Sequence, residues 1–213
     1  MSVVEKFTFN LFQENTYVIY DETKECIIID PGCCTPAEKN ELMAFVAAKQ
    51  LTPVRLLNTH CHVDHIPGNG TMAATYNIGL EYHEKELPII QSAPDFGPIF
   101  GIEVDEQPTA SRFIIADEII SFGNTMLKVM FTPGHSPGSV SFYNEKEKYV
   151  IAGDVLFYES IGRYDLPGAS GPVLLQSITE KLMTLPDDTT VYSGHGRNTT
   201  IGHERKNNPF LNR

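Results

Sequence analysis

The side chains best suited to chemistry lie in one short segment of the chain. It reads HCHVDH over residues 60–65 and places four potential metal ligands within six positions. Imidazole and carboxylate together form a donor set that suits Zn²⁺, Mn²⁺ or Fe²⁺. In extended backbone alternate residues face the same side, so His60, His62 and Asp64 can converge while His65 faces a second point. Ligand type and spacing therefore favour a metal site over a polar surface loop.

Three more potential ligands occur farther along the chain, each after an apolar run. They are His135, Asp154 and His195, and small flanking residues allow the backbone to turn sharply at each. Taken singly, Gly-Asp and Gly-His are ordinary turn pairs. Seven ligands exceed what one metal with an open position can use, whereas two metals that share a bridging carboxylate can use them. The recurrence of ligands at strand ends predicts such a site.

The elements that must position these ligands follow from the apolar pattern. Predicted strands cover Val3–Leu11, Thr16–Tyr20, Cys26–Ile29, Val54–Leu57, Gly79–Tyr82, Ile119–Phe122, Met126–Phe131, Ser139–Tyr143, Tyr149–Ala152 and Thr190–Tyr192. Helical spacing is found in Pro36–Gln50, Ile66–Tyr76, Glu84–Gln91 and Val173–Leu185. Residues 93–108 are rich in proline and glycine and are predicted to form a surface loop. Two strand-rich halves with helices predict an α/β (α+β) protein with two sheets packed face to face.

Length and composition limit the classes of function. With 213 residues, the chain can bury the core of one domain, which we expect to span residues 1–213. The formal net charge of −11 at pH 7 repels phosphate backbones, so we expect no nucleic-acid partner. The N-terminus lacks an apolar signal core and no run approaches a membrane span. We therefore expect a cytoplasmic protein without a membrane partner.

The cysteines indicate neither a disulfide framework nor a structural zinc site. They are Cys26, Cys33, Cys34 and Cys61, and none forms a CxxC pair. Cys61 lies between two proposed ligands, but alternation turns it away from them. We expect Cys61 to contribute to packing.

The ligand pattern resembles that of the metallo-β-lactamase-fold hydrolases, and within them the glyoxalase II group and its short, single-domain relatives. The HxHxDH segment, the downstream His135, the aspartate Asp154 and the final His195 all match. The resemblance runs from about residue 7 to the C-terminus. Further matching segments are Asp30–Gly32, Thr132–Gly138, Gly153–Phe157, Ile161–Gly168, Gly194–Gly196 and Asn208–Phe210.

This resemblance implies a four-layer αββα sandwich, the metallo-β-lactamase fold, with the site along one edge. It implies two divalent metal ions. Zinc is the first expectation, and iron and manganese are compatible with the same donors. The resemblance assigns the ligands as follows: His60, His62 and His135 to one metal, Asp64, His65 and His195 to the other, and Asp154 to both. Glyoxalase II proper has an extra C-terminal helical domain, and we expect none here.

The implied activity is metal-dependent hydrolysis of a thioester, as in hydroxyacylglutathione hydrolase, by a hydroxide held between two metals. Asp64 and Asp154 are the residues expected to act in catalysis, Asp64 as a ligand that orients the hydroxide and Asp154 as the bridge. The expected partner is a small-molecule thioester, and the expected assembly is a monomer or small homo-oligomer.

Arg163 and Tyr164 are the candidate substrate-binding residues. The glyoxalase II pattern has a basic residue at the position of Arg163 that binds glutathione, and a guanidinium can grip a carboxylate through two hydrogen bonds. The alternative for Arg163 is an ion pair with Asp165 that stabilises its loop. Tyr164 has the alternative of simple packing.

Other functions on the same fold remain open. A persulfide dioxygenase would bind a single iron through His60, His135 and Asp154. A lactone or ester hydrolase would share all the ligands, and a β-lactamase is disfavoured because zinc β-lactamases commonly have cysteine where Asp154 stands. A non-enzymatic metal-binding or interaction module is disfavoured because the ligand set is complete.

Overall fold

Two compact units make up the chain, and the computed structural model describes residues 1–212. The first unit comprises residues 1–114 and 121–126. The second comprises residues 115–120 and the chain from residue 127 onward. The expectation of one domain over residues 1–213 stays a prediction.

A six-stranded sheet forms the basis of the first unit. Its strands, in spatial order, are β1 (Val3–Phe9), β2 (Glu14–Tyr20), β3 (Glu25–Ile29), β4 (Thr52–Leu57), β5 (Leu80–His83) and β6 (Arg112–Ile114). Strands β1 to β3 are antiparallel neighbours, and β3 to β6 pair in parallel. The carboxyl ends of β3 and β4 therefore lie side by side, which brings Asp30 next to the start of the HCHVDH loop.

Helices connect the parallel strands of this unit. They are α1 (Pro36–Ala48), α2 (Asn69–Tyr76) and α3 (Leu87–Phe96), with 3₁₀ turns at Glu84–Glu86 and Gly97–Phe100. Helix α1 begins with a capping box, in which Thr35 and Glu38 each accept a backbone N–H of the other residue. The core packs Val18, Ile28, Leu42 and Leu56, all of which are fully buried.

A second six-stranded sheet, in the order β14-β13-β10-β9-β8-β7, is formed mostly by residues of the second unit. The strands of this part of the chain are β7 (Ile119–Phe122), β8 (Thr125–Phe131), β9 (Val140–Asn144), β10 (Tyr149–Gly153), β11 (Leu156–Phe157), β12 (Ser160–Ile161), β13 (Thr190–Ser193) and β14 (Thr199–Thr200). Strands β11 and β12 form a separate hairpin, and the helices are α4 (Gly171–Glu180) and α5 (Ile201–Asn207). Strands β10 and β13 are parallel neighbours, so Asp154 and His195 follow adjacent strand ends.

The structure corrects the sequence prediction in one segment and adds elements elsewhere. The loop predicted over residues 93–108 is wrong as far as Phe100, because α3 and a 3₁₀ turn extend to that residue. Pro94 lies near the end of α3, where its missing N–H removes a single hydrogen bond. The short strands β6, β11, β12 and β14 and helix α5 were not predicted. Within residues 1–212, no helix is long and apolar enough to cross a bilayer.

Candidate metal centre

The HCHVDH loop folds into a tight turn directly after β4. The N–H of His65 donates to the carbonyl oxygen of His62 at 3.0 Å, so the second half of the loop curls back on the first. The ring centroid of His60 lies 4.7 Å from that of His62 and 4.1 Å from that of His65. The Nε2 atom of His65 lies 3.7 Å from Oδ2 of Asp64. All four predicted ligands of the first unit thus form one cluster.

Asp30 holds this loop from the neighbouring strand end. Its carboxylate accepts hydrogen bonds from the Thr59 N–H at 2.7 Å and the Thr59 hydroxyl at 2.6 Å. The Nδ1 atom of His65 lies 3.2 Å from Oδ2 of Asp30, and Nδ1 of His60 lies 3.1 Å from the Thr59 hydroxyl. Both Nδ1 atoms are thereby turned toward the protein. Asp30 has a left-handed backbone, with φ of +49°, which asparagine and aspartate tolerate better than most residues.

Two further buried carboxylates support the loop. Glu86, which is fully buried, accepts the Cys61 N–H at 2.8 Å, between the two ligands His60 and His62. Glu14 lies 3.7 Å from Nδ1 of His65. Burial raises the pKa of Glu14 well above its usual range, and the His65 imidazole opposes that shift. Cys61 is fully buried among apolar side chains, as predicted, and burial raises the pKa of its thiol.

The second unit brings together the other three predicted ligands. The Oδ2 atom of Asp154 lies 3.5 Å from Nε2 of His135 and 3.4 Å from Nε2 of His195. The Nδ1 atom of His135 is 2.8 Å from the carbonyl oxygen of Arg163, which fixes the orientation of the ring. Gly162 allows this approach, because a Cβ at that position would collide with the carbonyl oxygen of Asp154. A single carboxylate oxygen therefore faces two imidazoles.

The donor spacings fit divalent metal ions. Ligand atoms at roughly 2.0–2.2 Å from a tetrahedral metal lie about 3.3–3.6 Å from one another. The distances of Asp154 to His135 and His195 fall in this range, and the distance of Asp64 to His65 is slightly longer. Where Nδ1 is held by the protein, Nε2 is the atom directed at the metal, a common arrangement for metal-bound histidine. The residues present fit the metal chemistry predicted from the sequence.

Arg163 forms a two-point ion pair with Asp165, with distances of 2.8 Å and 3.0 Å between nitrogen and oxygen atoms. Both side chains are largely exposed. The exposed Tyr164 packs its ring against Gly171. Substrate binding by Arg163 and Tyr164 stays a prediction. In this structure the Arg163 side chain forms the alternative interaction, the ion pair with Asp165.

The two remaining histidines take structural roles. His83 accepts the Lys85 N–H and caps a 3₁₀ turn. His203 lies in α5, and its Nε2 atom is 2.9 Å from Glu159. Glu14 and Glu86 were missed as supports of the loop. In the sequence, each is simply a charged residue close to an apolar strand. Solvent-exposed glutamates have the same appearance, so nothing marks these two as buried.

A family model described as the metallo-beta-lactamase superfamily matches residues 9–195. The chain belongs to this superfamily. It is 41% identical over 202 residues to the probable metallo-hydrolase YqgX of Bacillus subtilis, covering 94% of this chain and 93% of that protein. It is 34% identical over 213 residues to the hydroxyacylglutathione hydrolase GloC of Haemophilus influenzae, covering 98% of each. With the donor set above, superfamily membership makes the protein a metal-dependent hydrolase.

Solved structures confirm the predicted metallo-β-lactamase fold. TTHA1623 in a di-iron-bound form superposes with a TM-score of 0.88 and 35% identity, covering 98% of this chain and all of that chain. The BLEG-1 B3 metallo-beta-lactamase superposes with a TM-score of 0.87 and 37% identity, covering 99% of this chain and all of that chain.

Proposed function

We propose that the protein hydrolyses thioesters with the help of two divalent metal ions, and that these ions are zinc. The observation that carries the dinuclear proposal is the position of Asp154, whose Oδ2 atom lies within 3.5 Å of two imidazole nitrogens. A bridging carboxylate needs this arrangement. The similarity to GloC, a hydroxyacylglutathione hydrolase, supports a thioester as the substrate.

In this proposal the seven ligands divide between two metals as the family pattern implies. His60, His62 and His135 would hold one ion, Asp64, His65 and His195 would hold the other, and Asp154 would be a ligand of both. When bound, the ions supply Lewis acidity, which polarises a carbonyl group and makes water a stronger acid. Asp64 orients the attacking water through its carboxylate. A departing thiolate needs little protonation, so the chain needs no strong general acid beside the leaving group.

The residues behind the ligands keep this geometry fixed. Asp30 contacts Nδ1 of His65, and the Thr59 hydroxyl contacts Nδ1 of His60. The Arg163 carbonyl oxygen contacts Nδ1 of His135. These contacts direct the Nε2 atoms toward the metals and keep the rings from rotating away. Ligands whose rings are already oriented lose less freedom when a metal binds, which favours metal affinity.

The direct test is the initial rate of S-lactoylglutathione hydrolysis by pure protein of known metal content. We expect turnover that is lost on treatment with a chelator and returns with added Zn²⁺. A second sample loaded with Fe²⁺ shows which ion supports the higher rate. Protein with both sites filled that does not hydrolyse this thioester or an acyl thioester of another thiol would contradict the proposal.

Hydrolysis of β-lactams is the second candidate, because the chain is 37% identical to a protein described as a B3 metallo-beta-lactamase. A chromogenic cephalosporin, assayed on the same metal-loaded sample, separates the two functions. We expect a kcat/KM at least about 100-fold lower for the cephalosporin than for the thioester. The reverse order would replace the proposed function with β-lactam hydrolysis.

A further inference from the structure

An arginine that the sequence pattern does not single out lies on a tyrosine ring in the second unit. The Cζ atom of Arg197 is 3.3 Å from the ring centroid of Tyr158. The ring of His203 also stacks on Tyr158, with 4.7 Å between centroids and 22° between planes. A guanidinium that lies flat on an aromatic ring is held in place while the N–H groups at its edge stay available for hydrogen bonds.

Arg197 differs from Arg163 in what its charge contacts. Arg163 forms the two-point pair with Asp165, so its donors are already engaged by a carboxylate. Within residues 1–212, no carboxylate lies at ion-pair distance from the Arg197 guanidinium. Glu159, the acidic residue next to Tyr158, accepts from Nε2 of His203 at 2.9 Å and is also attracted by the Arg197 charge, without forming a direct ion pair with it. Arg197 is therefore the better-prepared of the two cations for an external anion.

The position of this stack ties it to the candidate metal ligands. Arg197 follows His195 by two residues on the same loop, between β13 and β14. Tyr158 follows Phe157, whose ring centroid is 6.2 Å from that of the His195 imidazole. A groove of about 390 Å³ shares Tyr158 with the stack and is also lined by Asn198, Thr199 and His203. Its amide and hydroxyl groups can hydrogen-bond a polar ligand.

We infer that Arg197, held on Tyr158, recognises a carboxylate on the thiol part of the substrate. This inference rests on the proposed thioester hydrolysis and narrows it to thioesters of carboxylate-bearing thiols, such as glutathione. In a chain with a net charge of −11, an anionic substrate needs a local cation to offset general repulsion. The planar guanidinium matches a carboxylate through two parallel hydrogen bonds, which a lysine cannot reproduce.

The test measures binding rather than turnover, on metal-loaded protein, by calorimetry. The probes are S-methylglutathione and its dimethyl ester, which share a shape but differ in their carboxylates, and neither offers a thiolate to a metal. We expect the wild type to bind the diacid at least about tenfold more tightly than the diester. Arg197→Gln should remove most of this preference, and Arg197→Lys should retain part of it.

Lys206→Gln is the matched control, because it removes an exposed cation of the same unit that has no proposed role in binding. Preference for the diacid that survives Arg197→Gln, or that is lost equally in Lys206→Gln, overturns the inference. So does a wild type that binds both probes equally or binds neither. Thermal midpoints of the variants, compared with the wild type, exclude unfolding as the cause of a lost preference.

Hydrolysis assays separate this inference from the proposed function. Wild-type protein that prefers the diacid but hydrolyses no thioester would contradict the thioester proposal and leave the carboxylate site standing. Protein that hydrolyses S-lactoylglutathione and the corresponding neutral N-acetylcysteamine thioester with equal kcat/KM would support hydrolysis and overturn the role of Arg197.

Discussion

Individual ligands are held through the ring atom that does not face a metal. The Nδ1 atoms of His60, His65 and His135 contact the Thr59 hydroxyl, the Asp30 carboxylate and the Arg163 carbonyl oxygen. Each contact fixes the orientation of a ring. When Nδ1 carries the proton, the lone pair of Nε2 is available to bind a metal. The chemistry of the site therefore depends on a small number of buried acceptors as well as on the ligands.

Replacing Asp154, the proposed bridging carboxylate, should affect both proposed metal sites. In Asp154→Ala, both imidazoles lose the oxygen that lies 3.4–3.5 Å from them. We expect metal content to fall by at least one ion per chain and kcat to fall by at least about 100-fold. Metal analysis by mass spectrometry, paired with the thioester assay, checks both results. Full occupancy of both ions in the variant would rule out the bridging role.

Asp30→Asn tests a residue that contacts no metal in the proposed arrangement. Asparagine tolerates the left-handed backbone, but its amide nitrogen cannot accept from Thr59 or His65. We expect metal affinity to fall by about 10- to 100-fold. Competition with a chromogenic chelator measures this change. Unchanged affinity would show that the ligand loop holds its shape without the carboxylate.

Elements place these residues through the ends of parallel strands. Strands β3 and β4 end side by side at Asp30 and the HCHVDH loop, and β10 and β13 do the same for Asp154 and His195. Apolar runs made these strands predictable, because burial on both faces leaves a continuous signal. The edge strand β6 and the short strands β11, β12 and β14 carry too few residues for such a signal. Pro94 concealed the second half of α3, because a proline tolerated near a helix end resembles a loop signal.

The β7–β8 turn offers a test at the scale of elements. Asp21, at the end of β2, is buried and accepts hydrogen bonds from Thr23, from the Asn124 N–H and from the Thr125 hydroxyl. Burial acts to raise the pKa of Asp21, but these hydrogen bonds outweigh it and lower the pKa to about 2. The carboxylate therefore stabilises the fold above the unfolded-state pKa of about 3.9, and this contribution is lost as the pH falls toward 2.

We expect Asp21→Asn to lower the free energy of unfolding by about 2 kcal/mol at pH 7. The difference from wild type should shrink between about pH 4 and pH 2, because the wild type loses the charge of Asp21 over this range whereas asparagine carries none. Urea unfolding at several pH values measures it. Glu41→Gln, which removes an exposed carboxylate on α1, is the control and should change stability little. A difference that is constant with pH would contradict the assigned pKa.

At the scale of the whole molecule, we expect metal binding to stabilise the fold. Glu14, Asp30 and Glu86 are buried around the ligand loop, where acidic groups and imidazoles crowd together. Buried charge is costly unless it is compensated, and divalent cations would compensate it. The ligand types and most strands followed from local patterns in the sequence, and the four-layer fold followed from the family resemblance. The supporting carboxylates did not, because their role depends on contacts between distant segments.

Removing metal should therefore destabilise the protein. We expect chelation followed by dialysis to lower the midpoint of thermal unfolding by about 10 °C. Differential scanning calorimetry on metal-analysed samples measures the shift, and added Zn²⁺ should reverse it. Added Mg²⁺, which prefers octahedral oxygen ligands, is the control and should not. Equal midpoints with and without bound metal would show that the fold does not depend on the ions.

The contact between His135 and the carbonyl oxygen of Arg163 bears on how such a protein can evolve. Because a backbone atom orients the ligand, every residue type at position 163 can provide that acceptor. The side chain at the same position points to the surface, where it can change charge, length or polarity. Substitutions at position 163 can thus change the charge and polarity of the surface while the backbone carbonyl oxygen continues to orient His135. Divergent substrate preferences among proteins with this arrangement would arise there at little cost to catalysis.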